Sequence, residues 1–103
     1  MTTPRPVSWQ TMLEKNAPEV LKQITGVRES VQAEGALSAK TKTLMTMLCD
    51  ALLGHADGVA NIARRARAMG ASEAEITETV AVAFLMGGLP GLVTAANAFR
   101  DLS

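Results

Sequence analysis

Aromatic rings and reactive side chains are scarce in this 103-residue chain, which has no tyrosine, one tryptophan, two phenylalanines, one histidine and one cysteine. One cysteine excludes an internal disulfide and any four-cysteine zinc site. Net charge is missing too, with ten basic residues against ten acidic ones, so a chain whose main task is to hold phosphate backbones is excluded and no nucleic-acid partner is expected. The amino terminus lacks the basic start and apolar run of a signal peptide, and the expected compartment is the cytoplasm. The longest apolar stretch, from Val80 to Val93, is broken by Gly87, Gly88, Pro90 and Gly91. It is too short and too interrupted to span a bilayer, so no membrane partner is expected.

What is present is small and aliphatic. Apolar residues make up 48% of the chain and aromatics 3%, with 17 alanines, so the core must be built from Ala, Leu, Val and Met, a palette that favours helices. A core of such side chains in so short a chain buries little area per residue, and zero net charge does nothing to keep copies apart. A homo-oligomer is therefore expected.

The punctuation predicts an all-α fold of about six helices in one domain over residues 8–103, preceded by a loose arm over residues 1–7 that carries two prolines. Ser8 caps a short helix with Trp9, Met12 and Leu13, and Asn16-Ala17-Pro18 ends it and starts the next. In the second helix Val20, Leu21, Ile24, Val27 and Val31 recur at steps of three and four until about Ala33, and Gly35 stops it. Ser38 caps a third helix to about Leu53, so apolar that burial on most sides is expected. After Gly54 a fourth helix carries Val59, Ile62, Ala63, Ala66 and Met69 on one stripe, and Gly70 closes it. Ser72-Glu73-Ala74-Glu75 has the form of a capping box before Ile76, Val80, Ala83 and Phe84. Beyond Gly87-Gly88-Leu89, Pro90 starts a last helix ending near Leu102. Nothing alternates long enough to be a strand.

Few groups can carry chemistry. His55 is the one side chain whose ordinary pKa allows proton exchange near neutrality, and it follows Gly54 at a junction between apolar helices, with Asp57 two residues on to orient it. It reads either as a candidate acid or base or as an imidazole bonded to backbone at a helix start. Cys49, within the third helix among Met45, Thr46, Leu52 and Leu53, reads as a buried structural thiol or as the nucleophile of a single-thiol peroxidase. The six-residue separation of Cys49 and His55 matches no standard metal spacing, and no metal site is expected within one chain. Arg64, Arg65 and Arg67 read as a solvated face that suits the helix dipole. Gly87-Gly88-Leu89-Pro90-Gly91 has no phosphate-loop lysine and follows no strand, so it reads as a turn and no cofactor is expected.

The segments Gly70-Ala71-Ser72-Glu73-Ala74-Glu75-Ile76-Thr77-Glu78-Thr79-Val80, Ala83-Phe84-Leu85-Met86-Gly87-Gly88-Leu89-Pro90 and Ala95-Ala96-Asn97-Ala98 strongly resemble the carboxymuconolactone decarboxylase and alkylhydroperoxidase D superfamily, and Gly35-Ala36-Leu37-Ser38-Ala39-Lys40-Thr41-Lys42-Thr43-Leu44 looks like its other signature. The resemblance covers about residues 18 to 100. It implies an AhpD-like helical bundle that assembles as a dimer, trimer or hexamer, with peroxiredoxin-type oxidoreductase or decarboxylase activity by kinship. The peroxidase branch carries a glutamate, two cysteines and a histidine; counted back from Gly70, those positions are Thr43, His55, Gly58 and Ile62 here. Gly58 and Ile62 offer neither sulfur nor a titratable group, so a two-cysteine peroxidase is not expected. Two functions follow: acid–base chemistry of His55, with Asp57 and, as a further neighbour, Asp50 beside it, on a small carbonyl or lactone substrate, with Asp57 and Cys49 as the other candidate site residues, or a catalytically silent oligomeric binding or scaffold module.

Overall fold

Serine hydroxyls start three of the helices where the sequence places them. In a computed structural model that describes residues 8–102, Ser8 Oγ accepts from the Thr11 N–H at 3.2 Å, Ser38 Oγ from the Thr41 N–H at 3.0 Å and Ser72 Oγ from the Glu75 N–H at 3.0 Å. Each satisfies a donor that the first turn of a helix leaves without a partner. The helices are α1 Trp9–Asn16, α2 Pro18–Gln32, α3 Ala39–Leu52, α4 Ala56–Ala68 and α5 Glu73–Ala95, followed by a 3₁₀ segment, Ala96–Leu102. No strand occurs among the described residues, and the fold is all-α. The arm expected over residues 1–7 lies outside the described residues.

Gly88 lies inside α5 at φ 61°, ψ −157°, a conformation no helix contains. The run Glu73–Ala95 is thus two helices meeting at a kink, and the count of about six holds when they are taken separately. Pro90 follows the kink, where its fixed φ and missing N–H suit the first turn of a new helix.

The chain divides into two compact units, one ending at Ala33 and one from Glu34 onward. In the first, α1 and α2 pack on each other, with Pro18 opening α2 one residue after the Ala17 N–H closes α1 on Leu13 O at 2.7 Å. No residue of either helix is buried.

In the second unit α3 packs against both α4 and α5, and the 3₁₀ segment packs on α4 and α5. The core is mostly alanine with a few larger residues: Met47, Val59, Ile76 and Val80 among Ala51, Ala63, Ala66, Ala83, Ala95 and Ala98. Small side chains let helix axes approach closely, and dispersion contacts then replace bulk. At Gly91 a Cβ would stand 3.1 Å from Ala83 O, so the backbone itself is part of this packing. Paired charges fasten the helix ends: Lys40 to Glu75 at 3.0 Å, Arg67 to Glu73 at 2.6 Å, and Arg64 to Asp101 through both carboxylate oxygens.

The expectation that α3 is buried on most sides fails. Only Thr43, Met47 and Ala51 are buried, a stripe at i, i+4 and i+8, while Met45, Cys49, Leu52 and Leu53 are exposed. Apolar content measures how much surface a helix can bury, but α4 and α5 cover only one side of it.

Candidate functional site

The turn between α3 and α4 creates the one histidine–carboxylate pair in the described residues. The last turn of α3 closes with the Leu53 N–H on Cys49 O at 3.0 Å, and Gly54 then takes φ +81°, a left-handed conformation that favours glycine. The reversal lets the His55 N–H reach Asp50 O at 2.9 Å and brings the His55 ring over the Asp50 side chain, Nδ1 to Oδ1 at 2.9 Å. Asp50 is the more enclosed partner, with its side chain 22% exposed against 58% for His55.

An ionised carboxylate only accepts, so when His55 is neutral Nδ1 must carry the proton and Nε2 keeps a lone pair. That is the arrangement in which an imidazole acts as a base while a carboxylate fixes its tautomer and stabilises the imidazolium that forms.

Gly58, in the first turn of α4, makes the pair possible. A Cβ built there would overlap the Asp50 carboxylate, with Asp50 Cγ only 2.9 Å away. The missing side chain at this position, where the resemblance places a cysteine, therefore opens the space that the Asp50 carboxylate occupies.

The orienting role expected of Asp57 falls to Asp50. Asp57 Oδ1 instead accepts from Arg100 at 2.9 Å, and its side chain is 90% exposed. Asp57 sits in the first turn of α4 and Arg100 in the 3₁₀ segment, so this ion pair ties two elements together on the surface. Cys49 precedes Asp50, but its thiol is exposed rather than buried among apolar neighbours. One signal in the sequence pointed to Asp50: a carboxylate five residues before a histidine, with a helix-ending glycine between them. The Arg100 contact is 43 residues away in sequence and had no such signal.

The other two positions that the resemblance singles out carry no proton relay. Thr43 is buried and its Oγ1 donates to Ala39 O at 2.9 Å, with Met69 Sδ at 3.3 Å. Ile62 packs partly buried against the core cluster. Among the described residues no group of three or more His, Cys, Asp and Glu side chains could hold a metal ion. Of the three arginines read as a solvated face, Arg64 and Arg67 are engaged by carboxylates, with their pKa values raised chiefly by hydrogen bonds to Asp101 and Glu73.

Comparison with known proteins adds one match. The model of the carboxymuconolactone decarboxylase family matches residues 18–101. No curated protein matches the chain, and no solved structure does.

Proposed function

The chain belongs to the carboxymuconolactone decarboxylase family, and from that premise we propose that it moves a proton on a small carbonyl or lactone substrate, with His55 as the acid–base group and Asp50 as its positioning residue. The observation that carries this reading is the Nδ1–Oδ1 contact of 2.9 Å, which holds the ring by Nδ1 while the His55 side chain stays 58% exposed. In such a reaction Nε2 takes a proton from the carbon beside the carbonyl and the imidazolium returns it elsewhere on the substrate, so the histidine ends as it began. The positive charge that develops on the ring is stabilised by Asp50, whose partial enclosure strengthens the interaction relative to open water. A thiol-pair peroxidase finds no support in Gly58 and Ile62.

The test uses the single histidine as its own reporter. His55 ring signals are followed by NMR while small carboxylated lactones are added one at a time, and turnover of any ligand that shifts them is assayed in wild type, His55→Ala and Asp50→Asn. The reading requires one ligand to move the ring signals, its turnover to vanish in His55→Ala, and kcat to fall in Asp50→Asn with KM nearly kept. A ring indifferent to every lactone, or turnover that survives His55→Ala, sinks it.

A second reading, a catalytically silent binding or scaffold module, draws on the exposure of the His55 side chain, 58%. Under it, His55→Ala alters stability alone.

A further inference from the structure

The second unit holds a cleft that the proposed chemistry does not use. Lys40 meets Glu75 at one end of the α3/α5 seam and Leu52 lies against Gly87 at the other, so the two helices run side by side in the same direction. A cleft of about 350 Å³ lies along this seam, and neither His55 nor Asp50 lines it. Pockets that take small molecules measure roughly 300–1,000 Å³, and this one lies at the lower end.

The lining is sorted by polarity along the seam. Leu44, Met45, Leu48 and Val82 form its apolar part, and Leu44 and Leu48 are held in place by packing on the core. Thr41, Glu75, Glu78 and Thr79 lie toward the amino-terminal ends of the two helices. From Glu75 to Val82 helix α5 advances about 10 Å, so an occupant of that length touches both parts.

The polar end selects the charge of the occupant. No lysine or arginine lines the cleft. Lys40 stands beside it but is neutralised by Glu75, Nζ to Oε2 at 3.0 Å, and Glu75 accepts from the Ser72 N–H as well. Glu78 is the charge left over: among the described residues no cation pairs with it. The Thr79 hydroxyl donates its hydrogen to Glu75 O at 2.8 Å, so toward the cleft it has only lone pairs to offer. Helix N-termini attract anions, but those at this end are closed by the Ser38 side chain and by the Ser72–Glu75 capping box. A carboxylate and an accepting hydroxyl beside an aliphatic wall match a head group that carries positive charge and N–H donors on an apolar body.

We propose that this cleft binds a small aliphatic amine in its protonated form, with the ammonium at Glu78 and Thr79 and the alkyl body along Leu44, Met45, Leu48 and Val82. Glu78 is exposed, so water screens its attraction and burial of the alkyl body supplies most of the affinity. The charge supplies the selectivity. A carboxylate on the same body would face Glu78 with no cation to offset it. The site is separate from the His55–Asp50 pair and stands whether or not that pair is catalytic.

The experiment titrates the full chain, labelled with ¹³C-methyl methionine, at pH 7 and low salt with three probes that share one body: hexylamine, hexanol and hexanoate. An aliphatic amine with a pKa near that of lysine, about 10.4, is protonated there. The Met45 methyl signal, assigned by its loss in Met45→Leu, is expected to move with hexylamine and saturate, while that of Met47, buried and outside the cleft, stays still. Hexylamine binds tightest, hexanol less tightly and hexanoate weakest. Glu78→Gln lowers the affinity for hexylamine about two- to fivefold and leaves hexanol unchanged, and Glu78→Lys reverses the order of hexylamine and hexanoate. Both variants alter an exposed position, and circular dichroism checks their helicity. Should either not fold, about 0.5 M sodium chloride on wild type reads the same attraction, by narrowing the gap between hexylamine and hexanoate. A Met45 signal that no probe moves, equal affinities for the three probes, or an order that Glu78→Lys leaves as it was overturns the proposal. A His55 ring signal that shifts together with Met45 assigns the amine to the histidine site and overturns it as well.

Discussion

Replacing Gly58 by alanine separates the role of this glycine in the helix from its role at the site. In α4 the substitution removes the conformational freedom of glycine, worth roughly 0.4–1 kcal/mol in favour of the folded chain. Against this, the new methyl would overlap the Asp50 carboxylate. Were Asp50 fixed, that overlap would cost about 1–3 kcal/mol, as overpacking does elsewhere. Asp50 is a short side chain with part of its surface in water, so it rotates away and loses the His55 contact, a half-exposed polar contact worth about 0–1 kcal/mol. The two effects nearly cancel, and the midpoint of thermal unfolding should move by no more than about 4–8 °C in either direction. The His55 ring changes far more. In wild type, near pH 8, the ring should hold its proton on Nδ1, facing Asp50; in Gly58→Ala it should populate both tautomers, read from two-bond ¹⁵N–¹H correlations. If the proposed chemistry is right, turnover of any lactone substrate falls with the tautomer while the fold persists. Unchanged ring signals combined with a stability loss above about 2 kcal/mol would refute the reasoning, because the methyl would then have met something other than a movable carboxylate.

Two further outcomes follow from the fold. Gly88 holds φ 61°, ψ −157°, a region that side chains with a Cβ adopt only under strain, so Gly88→Ala should lower stability by about 1–3 kcal/mol in denaturant titration. An unchanged midpoint would mean that the kink is not required. Glu75 accepts from the Ser72 N–H at 2.9 Å and from Lys40 at 3.0 Å, and these contacts, the Ser72 backbone bond foremost, hold its pKa below the ordinary carboxylate range. A group whose folded pKa is depressed contributes stability above its unfolded pKa and loses it as pH falls through the folded value. Stability should therefore decline from about pH 4.3 downward. Glu75→Gln should flatten that acid limb in urea melts at pH 7, 5 and 3, whereas an identical limb in the variant would show that other carboxylates govern it.

The helical skeleton is written locally, which is why it can be read without the fold. Ser8, Ser38 and Ser72 cap because a hydroxyl within three residues of a free N–H forms its bond whatever the rest of the chain does. Gly54, Gly70 and Gly88 break helices because positive φ costs glycine little. Resemblance to a family was legible for the same reason, since short ordered segments carry it, and the family match over residues 18–101 agrees.

The tertiary structure alone decided which surfaces are covered and which charges meet. Apolar side chains spread over more than one face of α3, and only the placement of α4 and α5 selects Thr43, Met47 and Ala51 as its buried stripe and leaves Met45, Cys49 and Leu52 outside. Proximity in sequence suggested Asp57 as the partner of His55; the local reversal at Gly54 gives that place to Asp50, and what only the packed fold decided is that Arg100, 43 residues away, claims Asp57. Helix caps depend on neighbours a few bonds away. Burial and ion pairing depend on distances through space, and those exist only once the helices have packed.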